Sequence, residues 1–266
     1  MRKTNIIMKI VVCIKQVPDT NEIKINPTTG TLIREGVPSI MNPDDKSGLE
    51  MALRLKHVHH ATVTVITMGP PQADTMLREA LAMGADKAIL LTDRRFAGAD
   101  TLATSTALAG ALKKLDYDLI ITGRQAIDGD TAQVGPQIAE MLNLPQVTYV
   151  DQISWKEPTF QIRRATEDGY EYLEAQSPML ITVIATANKP RYMSVNGIVQ
   201  AYNRTVQVWT VDDLDVDASR LGLKGSPTKV KNAFAKGLKQ GGQVYEVEAE
   251  EAVGIIISKL QDRFII

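Results

Sequence analysis

The chain has 266 residues, of which 44% are hydrophobic, enough for one large α/β domain with a sizeable core. Thirty basic residues against thirty-one acidic leave a formal charge of -1, which excludes a general electrostatic attraction to nucleic acid or to an anionic membrane. The single cysteine, Cys13, excludes an internal disulfide and any cysteine-rich metal site, and a reducing cytoplasm is the simplest compartment.

In chain order, Met1 to Ile7 reads as a ragged extension before the first strand, and no cleavage site for a signal peptide follows it. Lys9 to Lys15 is a near-continuous apolar run of strand length, the pattern of a parallel strand buried on both faces. Gln16 to Pro38 is polar and long for a connection, so a functional or partner-packed segment is expected there. Asn42-Pro43-Asp44-Asp45 reads as a helix start: Asn42 as cap, Pro43 in the first turn, and two carboxylates by the positive end of the dipole of a helix running to about Lys56. A second strand at Ala61 to Met68 turns at Gly69-Pro70-Pro71 into a helix that Gly84 ends. A third strand at Lys87 to Thr92, a helix from Thr101 capped by Asp100, and a fourth strand at Asp118 to Thr122 complete a βαβα alternation. That pattern predicts a mainly parallel, doubly wound sheet with helices on both faces.

From Gln146 the runs at Gln146 to Ser154, Thr159 to Ala165, Tyr170 to Ala175 and Met179 to Ala185 read as an antiparallel extension, with Glu167-Asp168-Gly169 as a hairpin turn. Val206 to Val211 reads as a last strand. Residues 1–211 then form an α/β domain with its β extension. Residues 212–266 form an extended tail without its own core, closed by a helix over Ala249 to Ile266 whose Val253, Ile256, Ile257 and Leu260 fall at helical spacing. No apolar run approaches the roughly 20 residues of a membrane span.

The densest chemistry lies between the fourth strand and the next helix, in the stretch Thr122, Gly123, Arg124, Gln125, Ala126, Ile127, Asp128, Gly129, Asp130, Thr131, Ala132 and Gln133. A strand-to-helix loop at a sheet's carboxyl edge is where open α/β sheets bind ligands. From Gly123 to Gln133, two glycines, a cation, two carboxylates, two amides and a hydroxyl suit a phosphorylated, polyhydroxylated ligand. Strand-end amides and a helix starting after Asp130 would hold the phosphates, with the Thr131 hydroxyl helping and Arg124 reaching a ring or phosphate. The alternative is a polar loop whose Asp and Thr only cap the helix. The ends of the first and second strands, at Cys13 and Met68, and the Asn42 helix start are expected at the same edge.

Other chemistry is thinner. His57, His59 and His60 stand at a helix C-terminus without the spacing of a metal site, and with no other histidine a Ser-His-Asp triad elsewhere is impossible. Neither a G-x-G-x-x-G after the first strand nor a Walker loop is present, and Gly222 to Ser226 only faintly resembles a phosphate loop.

These stretches resemble the β subunit of electron-transfer flavoproteins. The resemblance rests on VCIKQVPDT at Val12 to Thr20, MNPDD at Met41 to Asp45, ALAMGAD at Ala80 to Asp86, the Gly123 loop and, most specifically, the β-subunit signature. That signature reads Ile162-x-Arg164-x-x-Glu167-Asp168-Gly169-x-Glu171-x-Leu173 followed by Pro178-x-Leu180-Ile181-Thr182. The resemblance implies an adenine-nucleotide-binding fold, an α subunit as partner, and a nucleotide site at Cys13, Asn42, Pro43, Asp44, Asp45, Met68 and residues 122–133. In ordinary members the site holds AMP. In electron-bifurcating members, which VCIKQVPDT, NPDDKSGLE and GRQAIDGDTAQVGP resemble more, it holds FAD. For that branch NADH is the implied donor, ferredoxin or flavodoxin one acceptor, and an acyl-CoA dehydrogenase or enoyl-CoA reductase the other, a caffeyl-CoA reductase included. No side chain is expected to act as a nucleophile. Arg191 to Ala201 is similar to the family's recognition loop for the dehydrogenase, and the terminal helix to an arm that embraces the α subunit. A nucleotide-binding scaffold without redox role stays open beside both.

Overall fold

The computed structural model describes residues 7–19, 38–229 and 241–266. The start at Met1 and most of the long connection after Gln16 lie outside them. In chain order the elements are β1 (Lys9–Cys13), β2 (Gln16–Pro18), β3 (Ser39–Met41), α1 (Pro43–His59), β4 (Thr62–Met68), α2 (Asp74–Met83), β5 (Lys87–Leu91), α3 (Thr101–Leu112), β6 (Leu119–Gly123) and α4 (Val134–Leu142). There follow β7 (Gln146–Lys156), β8 (Thr159–Ala165), β9 (Tyr170–Gln176), β10 (Met179–Val183), α5 (Val195–Asn203), β11 (Val206–Trp209), α6 (Gly222–Gly225) and α7 (Ala249–Gln261). Among the described residues no helix is long and apolar enough to cross a membrane.

The main sheet runs β11-β5-β4-β1-β6-β10-β7-β8-β9. Its pairs are parallel from β11 to β7, and β7, β8 and β9 pair antiparallel, so the expected α/β sheet with an antiparallel extension is what forms. One strand moves. Met179–Val183, expected within the extension, lies in the parallel sheet between β6 and β7. All five of its residues are buried, as a strand covered on both faces must be.

Two cores flank the sheet because successive side chains point to opposite faces. Ile10 and Val12 join the core under α1 and α2, while Val11 and Cys13 join the core under α3 and α4. α1 begins with Pro43 in its first turn, continues past the expected Lys56 to His59, and stops at His60 in the left-handed conformation (φ 54°). The three histidines thus sit at a helix end, His59 stacking edge-on against Trp155. α3 is capped as expected, Asp100 Oδ1 accepting from Ala103 N at 3.0 Å. Residues 195–203, not read as regular structure from the sequence, form α5, capped by Ser194 Oγ accepting from Gly197 N.

From Val211 to Gly225 the chain passes through two short 3-10 turns and α6, rather than staying extended, and it is fastened. Leu214 and Leu221 enter the α3/α4 core, and Asp100 Oδ2 accepts from both Thr228 N and Thr228 Oγ1. Gly222 has φ +57°, and a methyl there would stand 2.1 Å from the Arg95 carbonyl oxygen, so this glycine packs a turn against a neighbour rather than cradling a phosphate. α7 has no buried residue, and its Val253, Ile256 and Ile257 are exposed.

Candidate ligand site at the sheet's switch point

Sheet order and chain order part company at β1. From it the chain fills one side with β4 and β5, crosses to the other with β6 to β10, and returns at its end to place β11 beside β5. α1 leaves one face next to β1 and α4 leaves the opposite face after β6, opening a crevice at the carboxyl ends of these two neighbours. The parallel registers align the strand ends there: Val12 pairs Ile121, Cys13 pairs Ile66, and Val183 pairs Gly123. Cys13 closes β1 and Gly123, preceded by Thr122, closes β6 at this edge. Met68 closes β4 at the same edge and packs, half-buried, against the α3/α4 core.

The start of α1 builds the floor of the loop. Asn42 caps nothing with its side chain, contrary to the sequence expectation. Fully buried, it donates from Nδ2 to the Gln125 carbonyl at 2.8 Å and accepts at Oδ1 from Ile127 N at 3.1 Å. Asp44 Oδ2 accepts from Gln125 N at 3.2 Å, and its Oδ1 from Ala185 N at 2.8 Å. Asp45 ties the two central strands together, Oδ2 accepting from Lys15 N at 2.8 Å and Oδ1 from Gly123 N at 2.9 Å. Asp44 and Asp45 lie in the first turn of α1, as expected of carboxylates by the helix dipole, and in addition they hold backbone 30 to 141 positions away. Pro43 supplies the first turn of α1.

Burial pushes the Asp45 carboxyl up to about 7, against the pull of the Lys15 and Gly123 N–H groups and the Asn42 amide; the neighbouring Asp44 charge adds to the rise. Burial, with a smaller contribution from the Asp45 charge, pushes the Cys13 thiol up to about 12. A buried thiol held that high is a small apolar side chain, not a nucleophile. Gly123 has no room to be anything else: an added methyl would lie 2.2 Å from Asp45 Oδ1 and 2.8 Å from Asp44 Cβ.

Beyond Gln125 the loop folds back on itself. Gly129 N and Asp130 N both donate to the Ala126 carbonyl, Gln125 Nε2 donates to Asp130 Oδ1 at 2.7 Å, and Lys15 Nζ pairs with Asp128 at 2.7 Å. Asp130 and Ala132 take left-handed backbone (φ 48° and 52°), which is unfavourable for alanine and points to a loop held by its surroundings. α4 starts only at Val134, without a side-chain cap, so neither a helix start just after Asp130 nor capping by Asp130 and Thr131 is what forms. Gln133 Oε1 instead accepts from Thr101 Oγ1 at 2.7 Å.

What remains free is suited to an anion. The N–H groups of Thr131, Ala132, Gln133 and Val134 have no acceptor among the described residues, as expected where a helix begins. Arg124 lies over the Tyr149 ring at 5.5 Å with its Nε 3.5 Å from Asp44 Oδ2, yet this buried Nε makes no hydrogen bond. Unpartnered amides and a buried guanidinium nitrogen in need of an acceptor fit a phosphorylated ligand. Lys15, Tyr149 and Ala185 belong to this site and were not singled out from the sequence. Lys15 had a signal, a lone cation ending an apolar strand; Tyr149, with φ 58°, had none.

Comparison with known proteins gives a consistent result. The model of the electron transfer flavoprotein domain matches residues 29–214. The chain is 60% identical over 255 residues to the electron transfer flavoprotein subunit beta of Clostridium acetobutylicum, covering 96% of this chain and 98% of that one. It is 53% identical to the caffeyl-CoA reductase-Etf complex subunit CarD of Acetobacterium woodii, covering 97% and 100%. Against the acryloyl-CoA reductase electron transfer subunit gamma of Anaerotignum propionicum the identity is 45%, with 97% and 100% covered.

Proposed function

The chain belongs to the electron transfer flavoprotein family as a β subunit, and from that premise we propose that its switch-point loop holds FAD in an NADH-dependent, electron-bifurcating complex. The observation that carries this reading is the braced loop, whose terminal amides have no acceptor among the described residues and beside which Arg124, ion-paired to Asp44 at 3.5 Å, makes no hydrogen bond through its buried Nε. FAD held there would supply the redox chemistry, hydride acceptance from NADH and division of the electron pair between ferredoxin or flavodoxin and, through the α-subunit FAD, an acyl-CoA dehydrogenase or enoyl-CoA reductase. The chain's own residues bind and orient. The N–H groups of residues 131–134 and Arg124 hold the phosphates, and Asn42, Asp44 and Asp45 fix the loop that carries them. The names of the relatives, with caffeyl-CoA and acryloyl-CoA reductases among them, support a reductase partner.

The same proposal gives the exposed parts their tasks. Residues 1–211 carry the nucleotide, and within residues 212–266 the uncovered Val253, Ile256 and Ile257 of α7 dock on the α subunit. Residues 191–203, with Tyr192, Val195, Val199 and Tyr202 exposed, face the reductase. The compartment is the cytoplasm.

Extraction of nucleotides from the purified αβ complex tests the proposal. Two FAD per complex is the expected result, with bleaching of both on anaerobic addition of NADH. One FAD and one AMP would replace it with the AMP-holding form of the family, and a visible spectrum indifferent to NADH would remove the donor.

A further inference from the structure

α1 does more than brace the ligand loop. Its next turns hold a second segment, residues 184–191. Ala185 N donates to Asp44 Oδ1 at 2.8 Å, Ser47 Oγ donates to the Ile184 carbonyl at 3.0 Å, and Asn188 Nδ2 donates to the Ser47 carbonyl at 3.0 Å. The series ends at Glu50, only 4% exposed, whose carboxylate accepts from Arg191 N at 3.1 Å, Arg191 Nε at 2.8 Å, Arg191 Nη2 at 3.2 Å and Arg54 Nε at 3.0 Å. Past Arg191 no hydrogen bond among the described residues returns to α1. The chain is caught again on α2, where a methyl at Gly197 would stand 2.3 Å from the Ala82 carbonyl oxygen and Arg78 donates to the Ala201 carbonyl at 2.8 Å and lies over the Tyr202 ring. Between the two anchors Tyr192 is 91% and Val195 82% exposed.

Burial alone would push the Glu50 carboxyl up, but its bonds to Arg191 and Arg54 outweigh that and hold it below its ordinary value; the best-attested use of such a buried charge is to fix one geometry among several. Glu50 has the means to do so. It binds both the guanidinium and the backbone N–H of Arg191, and therefore sets the chain's direction as well as its distance from α1. We propose that Glu50 is a positioning residue which, through Arg191, fixes the exposed 192–199 segment for docking of the acyl-CoA reductase, on the same helix whose first turn fixes the ligand loop. The inference rests on the assignment of that segment to the reductase.

The test uses the intact αβ complex and its acyl-CoA dehydrogenase, with crotonyl-CoA as the probe substrate. Glu50→Gln, Arg191→Gln, their combination and Tyr192→Ser are compared. The expected result is that Glu50→Gln and Arg191→Gln each raise the dehydrogenase concentration for half-saturation by about tenfold, equivalent to about 1.4 kcal/mol. The combination should be no worse than either. The rate at saturation and the nucleotide content stay within about twofold of the parent, and hydrogen exchange quickens at residues 191–194 but not at 123–133. A purely structural role would lower nucleotide content and saturating rate together, and that outcome overturns the proposal. So does an unchanged half-saturation in Glu50→Gln. Should Glu50→Gln fail to assemble, Arg191→Gln, whose side chain is 40% exposed, decides on the same criteria. Tyr192→Ser separates the premise. If it weakens docking while the ion-pair variants do not, the surface assignment stands and the positioning role falls; if none of the variants weakens docking, both fall.

Discussion

Gly123→Ala and Gly129→Ala make a matched test of how the loop is built, because the two glycines stand six residues apart in one motif and sequence alone treats them alike. At Gly123 the added methyl meets Asp45 Oδ1 at 2.2 Å, Asp44 Cβ at 2.8 Å and Asp45 N at 2.8 Å. None of these is the tip of a flexible chain: Asp44 and Asp45 are buried in the first turn of α1 and hydrogen-bonded on both carboxylate oxygens. Either α1 shifts or β6 does, at an overpacking cost of about 1–3 kcal/mol. The shift also loses the charge-assisted bond from Gly123 N, worth about 1.5–3 kcal/mol. Together these come to about 2.5–6 kcal/mol, or a fall in Tm of about 5–24 °C for a chain of this size. At Gly129 a methyl meets nothing within 4 Å and the backbone is outside the left-handed region, so the change in stability should lie within about 1 kcal/mol and be favourable if anything. Scanning calorimetry of the αβ complexes at one concentration, with nucleotide extracted from the same samples, reads both. A Gly123→Ala complex that melts within about 2 °C of the parent with its nucleotide in place would refute the bracing argument, as would equal losses at the two positions.

Removal of residues 249–266 should abolish co-purification of the α subunit while moving the melting of this chain's own sheet little, since α7 buries no residue against it; retained pairing would end the docking role. Asn42→Ala should cost about 1–3 kcal/mol and lower nucleotide retention, because it leaves the Gln125 carbonyl and Ile127 N without their buried partner; dialysis against nucleotide-free buffer followed by extraction measures it. Cys13, with its thiol pushed up to about 12, should resist iodoacetamide at pH 8 for as long as the fold is intact and react on denaturation, which mass spectrometry will show. Asp45 binds its proton more tightly folded, at about 7, than at its ordinary 3.8, so the folded state carries more protons between those values and stability contributed by this group falls as pH rises through that window. The slope is at most about 1.4 kcal/mol per pH unit, and Asp45→Asn, compared by denaturant titration across pH 4–7, should flatten it.

The parallel strands were legible because burial on both faces leaves a signature that does not depend on partners: Ile10, Val11, Val12 and Cys13 are all apolar since alternate side chains enter different cores. The same signal marked Met179–Val183 as a strand, but pairing is a non-local property. Placing it next to β6, about sixty residues earlier, required the folded sheet. α5 escaped notice for a related reason. Val195, Asn196, Gly197 and Val199 have poor helix propensity, and the helix persists because Ala201 is buried and Arg78 holds its far end from another element. At the site, the sequence located the loop and the residues that gather with it, and it placed Asp44 and Asp45 in the first turn of α1, but it missed the long-range bonds that they and Asn42 make. Their local pattern is that of a capped helix start, and local rules contain nothing of a Gln125 amide 81 positions later.

That difference changes how the site should be understood. A free loop of about ten residues pays an ordering cost on the order of 10 kcal/mol when it closes on a ligand. Here the left-handed Asp130 and Ala132, the fold-back onto the Ala126 carbonyl and the Lys15–Asp128 pair are held by contacts within this chain. The more of that ordering the buried Asn42, Asp44 and Asp45 supply on folding, the more of its gross interaction energy binding keeps. The consequence is directional. Substitutions in α1, remote from any phosphate, should weaken ligand affinity through the loop, whereas the exposed Thr131 makes no bond that holds the loop together and can contribute only by touching the ligand.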